Sequence, residues 1–239
     1  MHKSVDLPIY YFGTPVVLIS TTNDDGTTNI APSSSIWWLG KSCMIGLDGS
    51  SKTTQNIKRT GECVLNLASD DIADVVDSLA NTTGSKSIPL HKRSLGYSYV
   101  KDKISLAKLT EQQSLSVAAK RIGECKVQLE AKVANTHPIA KNNKNAIIPM
   151  FAFELDIIQT HIEESILTGK NKQYVDPDKW HPLIMSFRKF YTTHDYIHPS
   201  SLAHESVEKY RLREYKGLKG YLINNVFKFL YRKHRSTSC

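Results

Sequence analysis

The chain has 239 residues, 40% of them hydrophobic, enough to bury a core in one domain with an appendage. Its formal charge of +8 sits almost wholly at one end: residues 208–235 carry nine Lys/Arg against two Glu, a net +7. The remainder is nearly neutral, which excludes a basic nucleic-acid-binding body.

Four cysteines (Cys43, Cys63, Cys125, Cys239) show no CxxC or Cys/His spacing, and no apolar run approaches the length of a membrane span. The first three each lie in an apolar run. They read as buried free thiols, and a reducing cytoplasm fits them.

In chain order, Tyr10–Phe12 lead through Pro15 into Val16–Thr21, a continuous β-branched run that reads as a strand buried on both faces. Asn23-Asp24-Asp25-Gly26 is a hairpin signal. The return, Thr28–Trp38, is interrupted at Pro32, which has no N–H for the ladder and is expected at a bulge or strand end. Cys43–Leu47 is a third strand. Thr53–Thr60 reads as a short helix stopped by Gly61, and Glu62–Leu67 as a fourth strand.

Asp70–Leu79 has Ile72, Val75, Val76 and Leu79 at helical spacing, and residues 81–105 read as loop with room for a short helix. Arg121–Ala134 alternates over Cys125, Val127, Leu129, Ala131 and Val133, as a half-buried antiparallel strand does. Ile147–Thr160 is the last strong strand, and Val175–Leu183 reads as a turn leading into a short helical piece. Many short strands with few helices predict a mainly β chain with a β-barrel or Greek-key body. Beyond Thr192 the pattern turns helical, with Leu222, Val226, Phe229 and Leu230 near one face ahead of Arg232-Lys233-His234-Arg235. That tail suits a packed amphipathic helix with a solvated basic end; anionic lipid or nucleic acid is the alternative.

Two clusters of small donors stand out. One is Asn29 with Ala31, Pro32, Ser33, Ser34 and Ser35; the other is Ser50, Ser51, Lys52, Thr53 and Thr54. The second sits at a predicted helix start and supplies backbone N–H groups, hydroxyls and a cation, as a phosphate requires. An ordinary N-cap with Lys52 solvated accounts for the same residues. The first offers donors to a flat polar ring, with Pro32 freeing the amides of Ser33–Ser35 from the ladder; a polar edge strand whose serines face water is the alternative. No GxSxG or GxGxxG is present, so neither of those chemistries is expected, nor is a metal.

The order TPVVLIST, DGTTNIAPSSS, SSKTTQNIKRTGECVLNL resembles the flavin reductase-like family of FMN-binding split barrels. The family's Asn-x-Ala-Pro-x-Ser strand falls on Asn29–Ser34, its Thr-x-x-Asn-Ile helix on Thr53–Ile57, and its Val-Asn strand on Cys63–Asn66. LTEQQSLSVAAKRIGECKVQLEAKV, FAFELDIIQTHIEESIL and VDPDKWHPLIMSFRKFY are similar to later family segments, so the likeness covers residues 8–192. Lys52 replaces the acid that many relatives carry, and Cys63 replaces their aromatic residue.

The resemblance implies a split β-barrel (Greek key) with a few peripheral helices over residues 1–192 and a helical basic extension over 193–239. It implies FMN held by the two clusters, NAD(P)H as hydride donor, an electron acceptor, and a homodimer with flavin at or near the interface. No residue is assigned as catalytic. Trp37-Trp38 would pack near the ring, across a subunit contact or in the core; His91-Lys92-Arg93 and Arg121 would reach the phosphate or the pyridine nucleotide, or the first three are a solvated loop. An electron carrier or sensor on the same fold is the runner-up.

Overall fold

The computed structural model describes residues 1–7, 9–142, 148–169, 172, 174–193, 195–198, 200, 222 and 225. The chain divides into two units, Met1–His194 and Asp195–Cys239. The expected basic helix lies almost wholly outside the described residues, so the fold described is that of the first unit.

Seven strands make the main sheet: β1 (Val17–Thr22), β2 (Thr28–Ser33), β3 (Ile36–Leu39), β4 (Ser42–Asp48), β5 (Glu62–Leu67), β6 (Val127–Ile139) and β7 (Met150–Ile162). All pairings are antiparallel, in the order β2-β1-β5-β6-β7-β4-β3. The two ends of that order, β2 and β3, are consecutive in the chain. The sheet is thus a barrel left open at one seam, a split barrel.

β1 is buried on both faces, as its β-branched run requires. Val17 and Ile19 face the barrel interior with Ile45, Leu65, Leu129, Phe153 and Leu155. Val16 and Leu18 face a second core, built on Ile72, Val76 and Leu79 of a 3₁₀ turn (Asp70–Ile72) and α2 (Ala73–Leu79). α1 (Lys52–Thr60) contributes Ile57 to the barrel core. Its ends are those the sequence predicts: Ser51 Oγ accepts from Thr54 N at 3.0 Å, and Gly61, at φ 71°, donates to Ile57 O.

Asn66, fully buried on β5, holds three segments: Nδ2 donates to Leu18 O (2.9 Å) and Ser20 Oγ (3.1 Å), while Oδ1 accepts from Ile122 N (2.9 Å). Cys43, Cys63 and Cys125 are buried free thiols, and burial pushes the Cys43 thiol up to about 12. Among the described residues no helix is long and apolar enough to cross a membrane.

The structure corrects two expectations. Arg121–Ala134 is not one strand: Arg121–Ile122 pairs with Glu111–Gln112, the chain turns, and β6 starts at Val127. The alternation ran through the turn because Cys125 is apolar for a different reason, packing in the second core. Val175–Leu183 leads into no helix. Leu183 instead ties Val16 to Ala68 through backbone bonds, and the hairpin Ile184–Ser186/Lys189–Tyr191 follows, paired to Phe12–Pro15. Residues 81–105 hold two short helices, α3 (Leu90–Ser94) and α4 (Lys103–Leu106), and a parallel pairing of Thr82–Thr83 with Ser98–Tyr99.

Candidate functional site

Ser34 and Ser35 carry the chain across the barrel seam, from β2 to β3, and Gly46 N of β4 donates to Ser35 O at 2.8 Å. Pro32 lies on the edge strand opposite Leu18, and the strand ends one residue later, at Ser33. Ser33 still pairs with Val17, so only Ser34 and Ser35 of the three serines leave the ladder.

A cleft of about 320 Å³ opens beside this crossing. Asn29 and residues 31–35 form one wall, Ser51–Thr53 at the start of α1 another, and residues 82–84 with Lys92, Tyr97 and Lys103 a third. The two hydroxyl clusters, separate in sequence, therefore line one hollow of ligand-binding size.

Ser50 and Thr54 stand behind the cleft rather than in its lining. Ser50 donates from N and Oγ to Asp48 Oδ1, both at 2.7 Å, and Thr54 Oγ1 donates to Asp48 O at 2.8 Å. They fix the β4–α1 turn that presents Ser51–Thr53. Lys52 lines the cleft, but its ammonium lies 2.9 Å from Asp24 Oδ2, on the hairpin turn after β1.

Asn29 is 3% exposed, and its amide nitrogen is engaged by Thr21 Oγ1 (3.3 Å) and Thr53 Oγ1 (3.1 Å). Asn56 Nδ2 meets the same Thr21 hydroxyl at 3.1 Å. The strand motif and the helix motif are thus hydrogen-bonded to each other across the cleft floor.

Positive charge enters from the region that reads as loop. His91 Nε2 (3.1 Å) and Lys92 Nζ (3.2 Å) both meet Asp48 Oδ2. Burial pushes the Asp48 carboxyl up, but the Ser50 hydroxyl and amide, His91 and Lys92 outweigh it and leave it at about 2. Lys103 is 2% exposed and donates to Ile30 O (3.0 Å) and Thr82 O (3.3 Å). Burial, with Lys92 adding repulsion, brings its ammonium down to about 8. No carboxylate among the described residues pairs with it.

Lys92 is thus brought to the cleft. Arg93 is exposed beside it and donates to Ile88 O. Arg121 is elsewhere, holding Gln113 O and Gln128 Oε1. Neither tryptophan lines the cleft: Trp37 is 56% exposed on β3 and Trp38 packs against the barrel core.

Asp48, Tyr11, Tyr97, residues 82–84 and Lys103 escape sequence reasoning. Only the Asp48-Gly49 turn leaves a local sign; the others reach the cleft by long-range packing.

Two structural features bear on what this lining would take. A buried ammonium faces carbonyl oxygens with no carboxylate, a cost that an anion would relieve. At Gly84 an added Cβ would lie 2.5 Å from Asn29 Oδ1, so the backbone there comes as close to the cleft floor as glycine alone permits.

Residues 9–194 match the family model described as a flavin reductase like domain. An uncharacterized Bacillus subtilis protein, YdfE, is 38% identical over 189 residues, covering 79% of this chain and 88% of that one. Among solved structures, the flavoredoxin of Desulfovibrio vulgaris (Miyazaki F) superposes with a TM-score of 0.66 at 20% identity, over 86% of this chain and all of that one. The 2-nitrobenzoate 2-nitroreductase NbaA of Pseudomonas fluorescens superposes at 0.63 and 17% identity, over 83% and 89%.

Proposed function

The chain belongs to the flavin reductase-like family, and on that premise we propose that its cleft binds FMN and that the protein is an NAD(P)H-dependent flavin oxidoreductase. The observation that carries this reading is the convergence of both hydroxyl clusters on one cleft, with a buried cation in its wall.

Ser51–Thr53, at the N-terminus of the nine-residue α1, would hold the phosphate with backbone N–H groups and the Thr53 hydroxyl. Residues 31–35 would lie along the polar edge of the ring, where Ser34 and Ser35 have left the ladder. Lys92 and Lys103 would supply positive charge to that anionic ligand. When bound, FMN takes hydride at N5 from the nicotinamide C4 and passes electrons to an acceptor. This chain's residues bind, orient and polarise; none is needed as acid or base.

Trp37 exposes a large ring on β3, one edge of the seam that opens on the cleft, and supports a second subunit closing over it, in a homodimer. Three buried free thiols support a reducing compartment, the cytoplasm.

Purified protein supplied with FMN is expected to turn yellow, retain the colour through gel filtration as a dimer, and bleach anaerobically with NADH or NADPH. A protein that takes up no FMN overturns the reading. One that binds FMN but oxidises no NAD(P)H is a flavin carrier rather than a reductase.

A further inference from the structure

A small hollow of about 140 Å³ shares Pro32, Ser33, Ser34 and Ala80 with the cleft and is otherwise apolar. Pro32 pairs with Leu18 and so lies on the face of the second core, against which Met185 and Phe190 also pack. Those two are cross-strand partners in the hairpin that follows Leu183. The hollow is thus an open rim of the second core, at the serine crossing. Val16 and Val76, 2% and 1% exposed, close its floor. Pro32, Met185 and Phe190 are half-buried and Ala80 is exposed, so these four keep surface for a ligand.

Size and polarity narrow the occupant. An apolar cavity of roughly 150 Å³ in another protein holds benzene, so this one takes a single six-membered ring and not three fused ones. No charged side chain among the described residues lines it, whereas Lys52, Lys92 and Lys103 line the cleft. A charged ligand would lose its hydration here without a partner. The only polar side chains in the lining are Ser33 and Ser34, both half-buried, and neither hydroxyl has a hydrogen-bond partner among the described residues. They can donate to oxygen atoms at the edge of a ring whose faces meet Met185 and Phe190.

We infer that this hollow is the acceptor subsite of the flavin site, and that its acceptor is a small uncharged quinone of one ring. The inference rests on the reading of the cleft as a flavin site. In the overall reaction NAD(P)H gives up a hydride and becomes NAD(P)⁺, and solvent gives one proton. The two electrons and two hydrogens turn both C=O groups of the quinone into C–OH. Ser33 and Ser34 stabilise the charge that develops on the carbonyl oxygens and lose no proton in the balance.

The product diol, benzene-1,4-diol, tests this without turnover when titrated anaerobically into the full chain. The chain has four methionines (Met1, Met44, Met150 and Met185), so carbon-13 labelling of their methyl groups places one reporter in the hollow and three outside it. On FMN-loaded protein the diol is expected to move the Met185 methyl signal alone, and saturably. Benzoate, a charged single ring, should bind at least about tenfold more weakly. Met185→Leu assigns the signal, and Met185→Trp, which fills the hollow, should weaken the diol by about tenfold or more. If the tryptophan variant does not fold, the wild-type methyl response decides. A diol that binds without moving the Met185 methyl, or binds a folded Met185→Trp protein as well as wild type, overturns the inference. So does FMN displacing the diol, because the hollow is then part of the flavin's own bed. FMN binding with no diol binding overturns it and leaves the flavin cleft standing. Failure of FMN to bind removes the cleft reading, and the acceptor role falls with it even where the Met185 methyl still answers to the diol.

Discussion

Asn29 Nδ2 donates to Thr53 Oγ1 at 3.1 Å, so a strand residue and a helix residue that both line the cleft hold each other in place. Asn29→Ala would take the amide donor from the buried Thr53 hydroxyl and leave the Thr21 hydroxyl with Asn56 alone. The expected cost is about 1–3 kcal/mol. Flavin affinity should fall as well, because α1 is no longer anchored to β2. Urea unfolding and an FMN titration on the same preparation test this; an unchanged midpoint with unchanged affinity refutes the strut.

Apolar runs and capping residues told most of what is local. Val16–Thr21 declared a strand without an exposed face, and Ser51 and Gly61 declared both ends of α1. Composition could not show that β2 and β3 are the two sheet edges, because pairing order is set by β6 and β7, far along the chain. Nor could it show Lys103, whose ammonium meets Ile30 O across 73 residues and sits in a stretch that reads as solvated loop. Hydroxyl clusters mark themselves; a cation that arrives by tertiary packing does not.

Lys103 gives a pH signature. Burial first, then Lys92, lowers its ammonium from 10.5 to about 8. Between pH 8 and 10.5 the unfolded chain holds the proton that the folded chain has released, so stability from this group rises with pH across that window. The full swing is of the order of 3 kcal/mol, at about 1.4 kcal/mol per unit. An anionic ligand beside Lys103 favours the charged form. FMN affinity should therefore fall as pH rises through about 8, and Lys103→Met should bind weakly with no such step. A wild-type affinity flat across that range removes Lys103 from the binding set.

Gly84 packs its backbone against Asn29 in the lining of the cleft. Gly84→Ala would place a Cβ 2.5 Å from Asn29 Oδ1 and 3.2 Å from Lys52 Cγ. Asn29 cannot retreat without losing Thr21 or Thr53, so residues 82–84 must move instead. Overpacking of this kind costs about 1–3 kcal/mol. The variant should fold but bind FMN more weakly than wild type, as read by fluorescence titration; equal affinity means the backbone gives way freely and the close approach does not matter.

Away from the cleft, Glu130 shows how the segment after α4 is held. Its carboxylate is fully buried: Oε1 accepts from Leu115 N (2.8 Å) and His161 Nε2 (2.6 Å), and Oε2 from Ser116 N (2.6 Å). Burial pushes the carboxyl up, but the Leu115 amide, His161 and the Ser116 amide outweigh it, so it lies below the ordinary 4.5. A carboxyl lowered by folding contributes stability that is complete above its unfolded value and lost as pH falls below it. Glu130→Ala strands two amides and takes the partner from an imidazole, and an effect of about 1–3 kcal/mol is expected, as for a buried donor left unsatisfied. Glu130→Gln keeps one acceptor oxygen, so it should cost less and flatten the acid limb of the stability curve. Amides 115 and 116 should lose hydrogen-exchange protection in the alanine variant before β5 and β6 do. Uniform loss across all three would show that Glu130 supports the whole barrel and not this one segment.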